Sequence, residues 1–329
     1  MTCPKCGSTV SDIASLCGRC GALIRRVTTS TPTVKSTTGT ATNPREIDLP
    51  FGLSEHLDKA VIRNRYAILI GTSYRGSGIS NLPACRHDLN AMKKMLVQRF
   101  SYVAENVRVI SESDVTKANV ESALHDLNDR IQLRADDQVL VYFSGHGAAL
   151  PTNTGDGRTQ GYLVTHDARV EGLARSCVSM RSIWEPLEQC RANQRLFICD
   201  ACHSGHLADN KSIGVASLLD AQMKELIAGT KRMSPRAAVQ VITAGRRDEV
   251  VAAQAEDTRL SPFTHLMLER MDMLANAGSR FTAKSLGEWL QEHYPEFVRE
   301  YGGGHVSEPL VENVCGSRGN FVFSPVTAN

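Results

Sequence analysis

Short runs of consecutive apolar residues, each closed by glycine or small polar residues, recur along most of the chain. They alternate with stretches in which apolar positions return every three or four residues. RYAILIG (65–71), VRVIS (107–111), QVLVYFSGHG (138–147), RLFICDACHSGH (195–206) and VQVITAG (239–245) are of the first kind. Unbroken apolar runs of this length read as strands buried on both faces. ACRHDLNAMKKMLVQRF (84–100) is of the second kind, with Leu89, Met92 and Leu96 on one helix face. ANVESALHDLNDRI follows Thr116, a residue suited to cap a helix, and further helical segments fall near 262–274 and 282–294. FVF (321–323) reads as a final strand. The alternation predicts an α/β fold, a mostly parallel sheet flanked by helices on both faces. In such sheets functional groups collect at the carboxyl ends of the strands. QVLVYFSGHG reads as a strand running into a glycine-bounded turn, and RLFICDACHSGH repeats that design. His146 and Cys202 are therefore each expected just past a strand end, and neighbouring strands would hold them ~4.8 Å apart.

This pattern does not begin at residue 1. Residues 1–24 carry two CxxC pairs, CPKCG and CGRCG. Residues 25–48, RRVTTSTPTVKSTTGTATNPREID, are rich in Thr, Ser and Pro and almost free of large apolar side chains, so they read as a flexible linker. Residues 49–329 form the third part, the α/β domain. In the first part, Cys3, Cys6, Cys17 and Cys20 can wrap one Zn²⁺ tetrahedrally, and the glycine after each pair permits the tight turn around sulfur. Four thiolates leave no open coordination position, so the expected zinc is structural, and so small a module needs it to fold. Docking of a regulatory protein, or of the chain's own larger domain, is the role expected for such a ribbon.

The 329 residues are 42% hydrophobic and 22% charged, with a net charge of +2. That balance gives no electrostatic case for nucleic acid, although Lys5, Arg19, Arg25 and Arg26 lend the ribbon a small basic edge. No apolar run reaches bilayer length, and MTCPKCGSTV has no basic start followed by an apolar stretch, so a cytoplasmic protein is expected. Of the ten cysteines, the six outside the ribbon (Cys85, Cys177, Cys190, Cys199, Cys202 and Cys315) are scattered and expected to be reduced.

His146 and Cys202 carry the candidate chemistry. A cysteine nucleophile needs an imidazole to take its proton and return it to a leaving amine, and backbone N–H groups aimed at the developing oxyanion. SGHG offers a histidine between glycines, DACHSG a cysteine among small neighbours, and the Gly147 and Cys202 amides are candidate oxyanion donors. Cys199 and Cys202 also form a CxxC, but Cys199 falls inside an apolar strand, whereas redox pairs open a helix. His203 and His206 have no partner cluster that would make a metal site.

VLVYFSGHG, followed 56 residues later by FICDACHSG, resembles the caspase-like cysteine peptidases, and most of all their metacaspase branch with its bacterial members. YAILIGTSY…LPACRHDLNAM and VITAGRRDEVVA…SPFTHLMLERM extend the likeness over roughly residues 64–325. The resemblance implies a peptidase with His146 as general base and acid and Cys202 as nucleophile. It implies an acidic specificity pocket built by Cys85, Asp88, Ser144 and Asp200, suited to Arg or Lys before the scissile bond of a protein or peptide substrate. DAC stands where true caspases have a QAC-type motif, and Arg86 is the basic residue that an Asp-specific pocket would call on. The resemblance also implies calcium as a possible activator, through Asp167 and Asp209, and self-cleavage near Lys231, Arg232 or Arg236. A caspase-like protease with other specificity, or an idle interaction scaffold, are the alternatives.

Overall fold

The computed structural model describes residues 62–129, 131–151, 159–169, 172–203, 237–244, 260–300, 308–314 and 317–326. The expected ribbon and linker, Asp209 and the segment with Lys231, Arg232 and Arg236 lie outside the described residues. In chain order the elements are β1 (Arg65–Gly71), α1 (Ala84–Arg99), β2 (Val107–Ser111), α2 (Lys117–Asp129), β3 (Gln138–Pro151) and β4 (Thr159–Leu163). They continue with the short α3 (Leu173–Ser176), β5 (Val178–Ser179), α4 (Met180–Gln189), β6 (Gln194–His203), β7 (Ala238–Thr243) and α5 (Pro262–Asn276). Last come β8 (Phe281–Thr282), α6 (Ala283–Glu300), β9 (Leu310–Asn313) and β10 (Val322–Phe323).

The main sheet has the order β2-β1-β3-β6-β7-β9. Its first five strands are parallel and β9 closes the edge antiparallel. β4 pairs antiparallel with the far end of β3, and β5 with β4. The expected mostly parallel sheet is present, with two departures. FVF contributes β10, but β10 pairs with β8 in a separate two-stranded sheet. The motifs SGHG and DACH do not leave their strands. β3 runs on to Pro151 and β6 to His203, so His146 and Cys202 lie within strands rather than past their ends. Pairing explains the extension: β3 and β6 stay in register through Gly147 and His203, and β4 takes up the other edge of β3 from Gly147 onward.

The apolar runs are unbroken because both faces of the sheet are covered. On one face Ala67, Leu69, Leu140, Tyr142, Leu196 and Ile198 pack with α1, α5 and α6. On the other, Ile68, Val139, Val141, Phe143, Phe197 and Val241 pack with α2 and α4. Even-numbered positions of β3 and β6 thus face α1 and α5. Thr116 caps α2 as expected, its hydroxyl accepting the Asn119 N–H at 3.2 Å.

At the N-terminal ends of the central strands, buried glutamines fasten the last strand. Gln138 Nε2 donates to Gln194 Oε1 and to the Val322 carbonyl, each at 2.9 Å. The Val322 and Phe321 amides donate to Gln194 Oε1 (2.8 Å) and Gln240 Oε1 (2.7 Å). Buried backbone polar groups that no strand pairs are satisfied by side-chain amides instead. Among the described residues, no helix is long and apolar enough to cross a membrane.

Candidate active site

Strand alternation builds the site. Beyond Tyr142 and Ile198, the even positions are Ser144 and His146 on β3, and Asp200 and Cys202 on β6. The register pairs Ser144 with Asp200 and His146 with Cys202. Paired positions in adjacent parallel strands are ~4.8 Å apart, so residues 146 and 202 occupy neighbouring register positions of the sheet. Gly147, the other candidate oxyanion donor besides Cys202, pairs with His203 on β6 and Leu163 on β4.

His146 is 3% exposed. Its Nε2 lies 2.8 Å from the carbonyl oxygen of Ser80. A carbonyl only accepts, so Nε2 carries the hydrogen and Nδ1 the lone pair. Burial holds the imidazole below its ordinary pKa, partly offset by that bond to Ser80. Neutral at neutral pH, it is in the state a proton acceptor needs.

One step away along the same strands lie two buried carboxyls. Asp88 is 0% and Asp200 4% exposed. Asp88 Oδ2 accepts from Ser144 Oγ at 2.8 Å, and Oδ1 from the Ser261 amide at 2.9 Å. Asp200 Oδ2 accepts from the Ser261 hydroxyl and from Thr264 Oγ1, the latter at 2.7 Å. Tyr142 Oη shares a 2.6 Å hydrogen bond with the same Thr264 oxygen. Burial, followed by the charge of Asp200, pushes the Asp88 carboxyl well above the usual range, and burial also pushes up Asp200. Two anions cannot both remain ionised cheaply in so dry a place, so the pair retains a proton to a pH well above that of a free carboxyl. Cys85, expected in the same pocket, is buried at the start of α1.

Sequence reasoning left out four participants. Ser80 acts through its backbone, which leaves no side-chain signal. Tyr74 sits in a glycine-rich loop, TSYRGSG, where a large aromatic among small residues is the one signal it leaves. Ser261 and Thr264 carry a legible signal, Ser-Pro before an apolar helix. Ser261 does cap α5, accepting the Thr264 N–H at 3.3 Å. A cap signal does not say that the same serine bridges two carboxyls. Close packing requires the glycine at 145: a Cβ there would sit 2.7 Å from Tyr74 Oη and 2.8 Å from the Phe143 ring.

Asp167 is exposed in the turn after β4, and its companion Asp209 lies outside the described residues. Among the described residues no group of three or more His, Cys, Asp or Glu side chains is placed to hold a metal ion. Cys85, Cys177, Cys190 and Cys199 are reduced and buried. Burial raises the Cys177 thiol to about 11 and also lifts Cys190 and Cys199, which makes them poor thiolates.

The Caspase domain family (peptidase C14) matches residues 64–292. The chain is 29% identical over 164 residues to metacaspase-4 and 31% over 153 to metacaspase-6, both of Arabidopsis thaliana, and 32% over 154 to metacaspase-1 of Emericella nidulans. These stretches cover 47, 44 and 44% of this chain, and 38, 39 and 37% of the relatives, so the likeness spans under half of each relative's length. The fold also resembles the crystal structure of protein GSU0716 from Geobacter sulfurreducens, with a TM-score of 0.51 and 16% identity over 77% of this chain and 94% of that one. The family match covers most of the chain, including the His–Cys register pair and the carboxyls beside it, and on that ground the chain belongs to the caspase-domain family of cysteine peptidases.

Proposed function

We propose that this protein is a cysteine endopeptidase that cleaves protein or peptide substrates after arginine or lysine. The observation that carries the reading is the buried carboxyl pair Asp88–Asp200, one step along β3 and β6 from the paired positions of His146 and Cys202. The Cys202 thiol passes its proton to Nδ1 of His146, and the thiolate attacks the scissile carbonyl. The Gly147 and Cys202 amides receive the oxyanion. His146 then protonates the leaving amine, and water, deprotonated by the same imidazole, releases the acyl group and regenerates the thiol. Before each bond breaks, a guanidinium or ammonium group held by Asp88 and Asp200, with Cys85 and Ser144 beside them, fixes the register of the substrate. A pocket for aspartate would need a cation in that place, and Arg86 is instead exposed on α1.

Reporter peptides with Arg, Lys or Asp before the scissile bond test this, with and without calcium, since the metacaspase likeness makes Asp167 and Asp209 candidate ligands. Turnover of the Arg and Lys reporters is the expected result. Turnover of the Asp reporter alone would keep the peptidase and overturn the pocket. Silence toward all three would favour an interaction scaffold that has kept the fold.

The ribbon belongs to the same proposal as a docking module, with one Zn²⁺ on Cys3, Cys6, Cys17 and Cys20. Elemental analysis of the purified chain is expected to find about one zinc per protein, lost when Cys3 and Cys6 are both replaced by serine. A zinc content unaffected by those replacements would remove the assignment.

A further inference from the structure

The sheet has a gap beside the histidine. β1 accompanies β3 as far as the pair Gly71–Ser144, and β4 joins β3 only from Gly147. His146 lies between these limits. Its carbonyl accepts the Val164 amide at 2.9 Å. In place of a direct return bond, a hydroxyl is inserted: the His146 N–H donates to Tyr74 Oη at 2.8 Å, and Tyr74 Oη donates to the Val164 carbonyl at 2.8 Å. The Tyr74 ring also lies against the imidazole, with centroids 4.7 Å apart and planes at 37°.

Tyr74 is held for this task. It is fully buried and has φ 59°, a left-handed backbone that a bulky residue seldom adopts. Its amide donates to Thr72 Oγ1 (3.1 Å), and its carbonyl accepts from the Ser77 amide (3.1 Å) and hydroxyl (2.8 Å). Gly145 leaves the space that the phenol occupies. The same β1–α1 loop delivers the Ser80 carbonyl to Nε2. One loop therefore grips the histidine at its backbone, its ring face and its far nitrogen.

We propose that Tyr74 is a positioning residue for His146: its hydroxyl sets the backbone at the gap between β1 and β4, and its ring sets the imidazole plane, so that Nε2 meets Ser80 and Nδ1 is presented toward the Cys202 position. The proposal rests on the peptidase reading for its kinetic consequence, but its geometric consequence can be measured without catalysis.

Tyr74→Phe in the full chain keeps the ring and removes only the bridging oxygen. With active sites counted by an irreversible, thiol-directed arginyl inhibitor, kcat per site is expected to fall ~10- to 100-fold while KM stays within about twofold. The ¹⁵N signals of the His146 ring, assigned with His146→Ala, are expected to change from a single Nε2–H tautomer to a mixture. Wild-type kcat per site together with an unchanged tautomer would overturn the proposal, whatever happened to Tm. A wild type that binds no inhibitor and turns over no peptide would instead defeat the peptidase reading, and the ring signals alone would then decide for or against Tyr74. If Tyr74→Phe does not fold, Ser77→Ala, which loosens Tyr74 without touching it, must move the ring signals in the same direction. Unchanged signals in that variant would also overturn the proposal.

Discussion

Cys202→Ala is expected to lower kcat toward Arg and Lys reporters by at least ~10⁴-fold, because without the thiolate the covalent acyl intermediate does not form. The other described cysteines are not substitutes. Cys177, Cys190 and Cys199 are buried with thiols pushed up by desolvation, Cys177 to about 11, and Cys85 is buried at the start of α1. Cys202 occupies the β6 position in register with His146, whereas Cys199 pairs with Phe143 and has the opposite parity. Exchange of one small residue for another at the end of β6 is expected to leave the thermal midpoint within a few degrees. Loss of turnover with retained folding would support the assignment. Residual activity within tenfold of wild type would transfer the chemistry elsewhere.

The second large effect concerns Asp88. Asp88→Asn keeps the size of the side chain and an oxygen that can accept from Ser261, and it removes a charge that the pocket holds at a cost. Against Arg reporters kcat/KM is expected to drop about 10²- to 10³-fold, the usual penalty for taking away one partner of a buried charged hydrogen bond. Stability is expected to move the opposite way. The carboxyls of Asp88 and Asp200 titrate above the ~3.9 of an unfolded aspartate, so between those values the folded chain binds more protons than the unfolded one. Stability of the free protein therefore falls as pH rises from about 4 through the raised range. Asp88→Asn flattens that fall and raises Tm at neutral pH. A bound guanidinium has the same sign, since it lets both carboxyls ionise, so KM for Arg substrates is expected to rise toward acid as the pair takes up its proton. Thermal melts from pH 4 to 8, with and without an arginyl inhibitor, check the linkage. An unchanged preference for Arg over a neutral reporter in Asp88→Asn would remove Asp88 from the pocket.

The parts legible from sequence were those in which one residue type has one physical use. Runs such as VLVYF and RLFI are apolar on both faces only because helices cover both sides of the sheet. They gave the strands, and with them the alternation that brings His146 level with Cys202. The helix at 84–100 followed from Leu89, Met92 and Leu96, all of which are buried. Short elements gave no such signal. TQGYL is five residues with a glycine at its centre, yet it is β4, and its pairing keeps SGHG extended where glycines alone suggested a turn. LVEN, the antiparallel edge strand β9, is half-buried throughout and has no sharp pattern to read. At the site, the acidic residues could be picked out by type, but their partners could not. The Ser80 carbonyl is a backbone atom, and Ser261 looks like an ordinary helix cap until α5 is laid against α1 and β6.

The glutamine-bound strand at the opposite end has a consequence for how this fold can diversify. Gln138, Gln194 and Gln240 close the N-terminal ends of the central strands with neutral amides, each committed to a backbone group of the last segment or to one another. A change in any of them strands a buried donor or acceptor, so that end has little freedom to drift. At the other end the strand residues are held by loops: Tyr74 and Ser80 before α1, and Ser261 before α5. Variation at the exposed positions between these anchors, such as Arg75 and Asn81, alters what meets the substrate while the strands beneath keep their register. The molecule thus separates the part that must stay fixed for the chain to fold from the part that new specificities can rewrite.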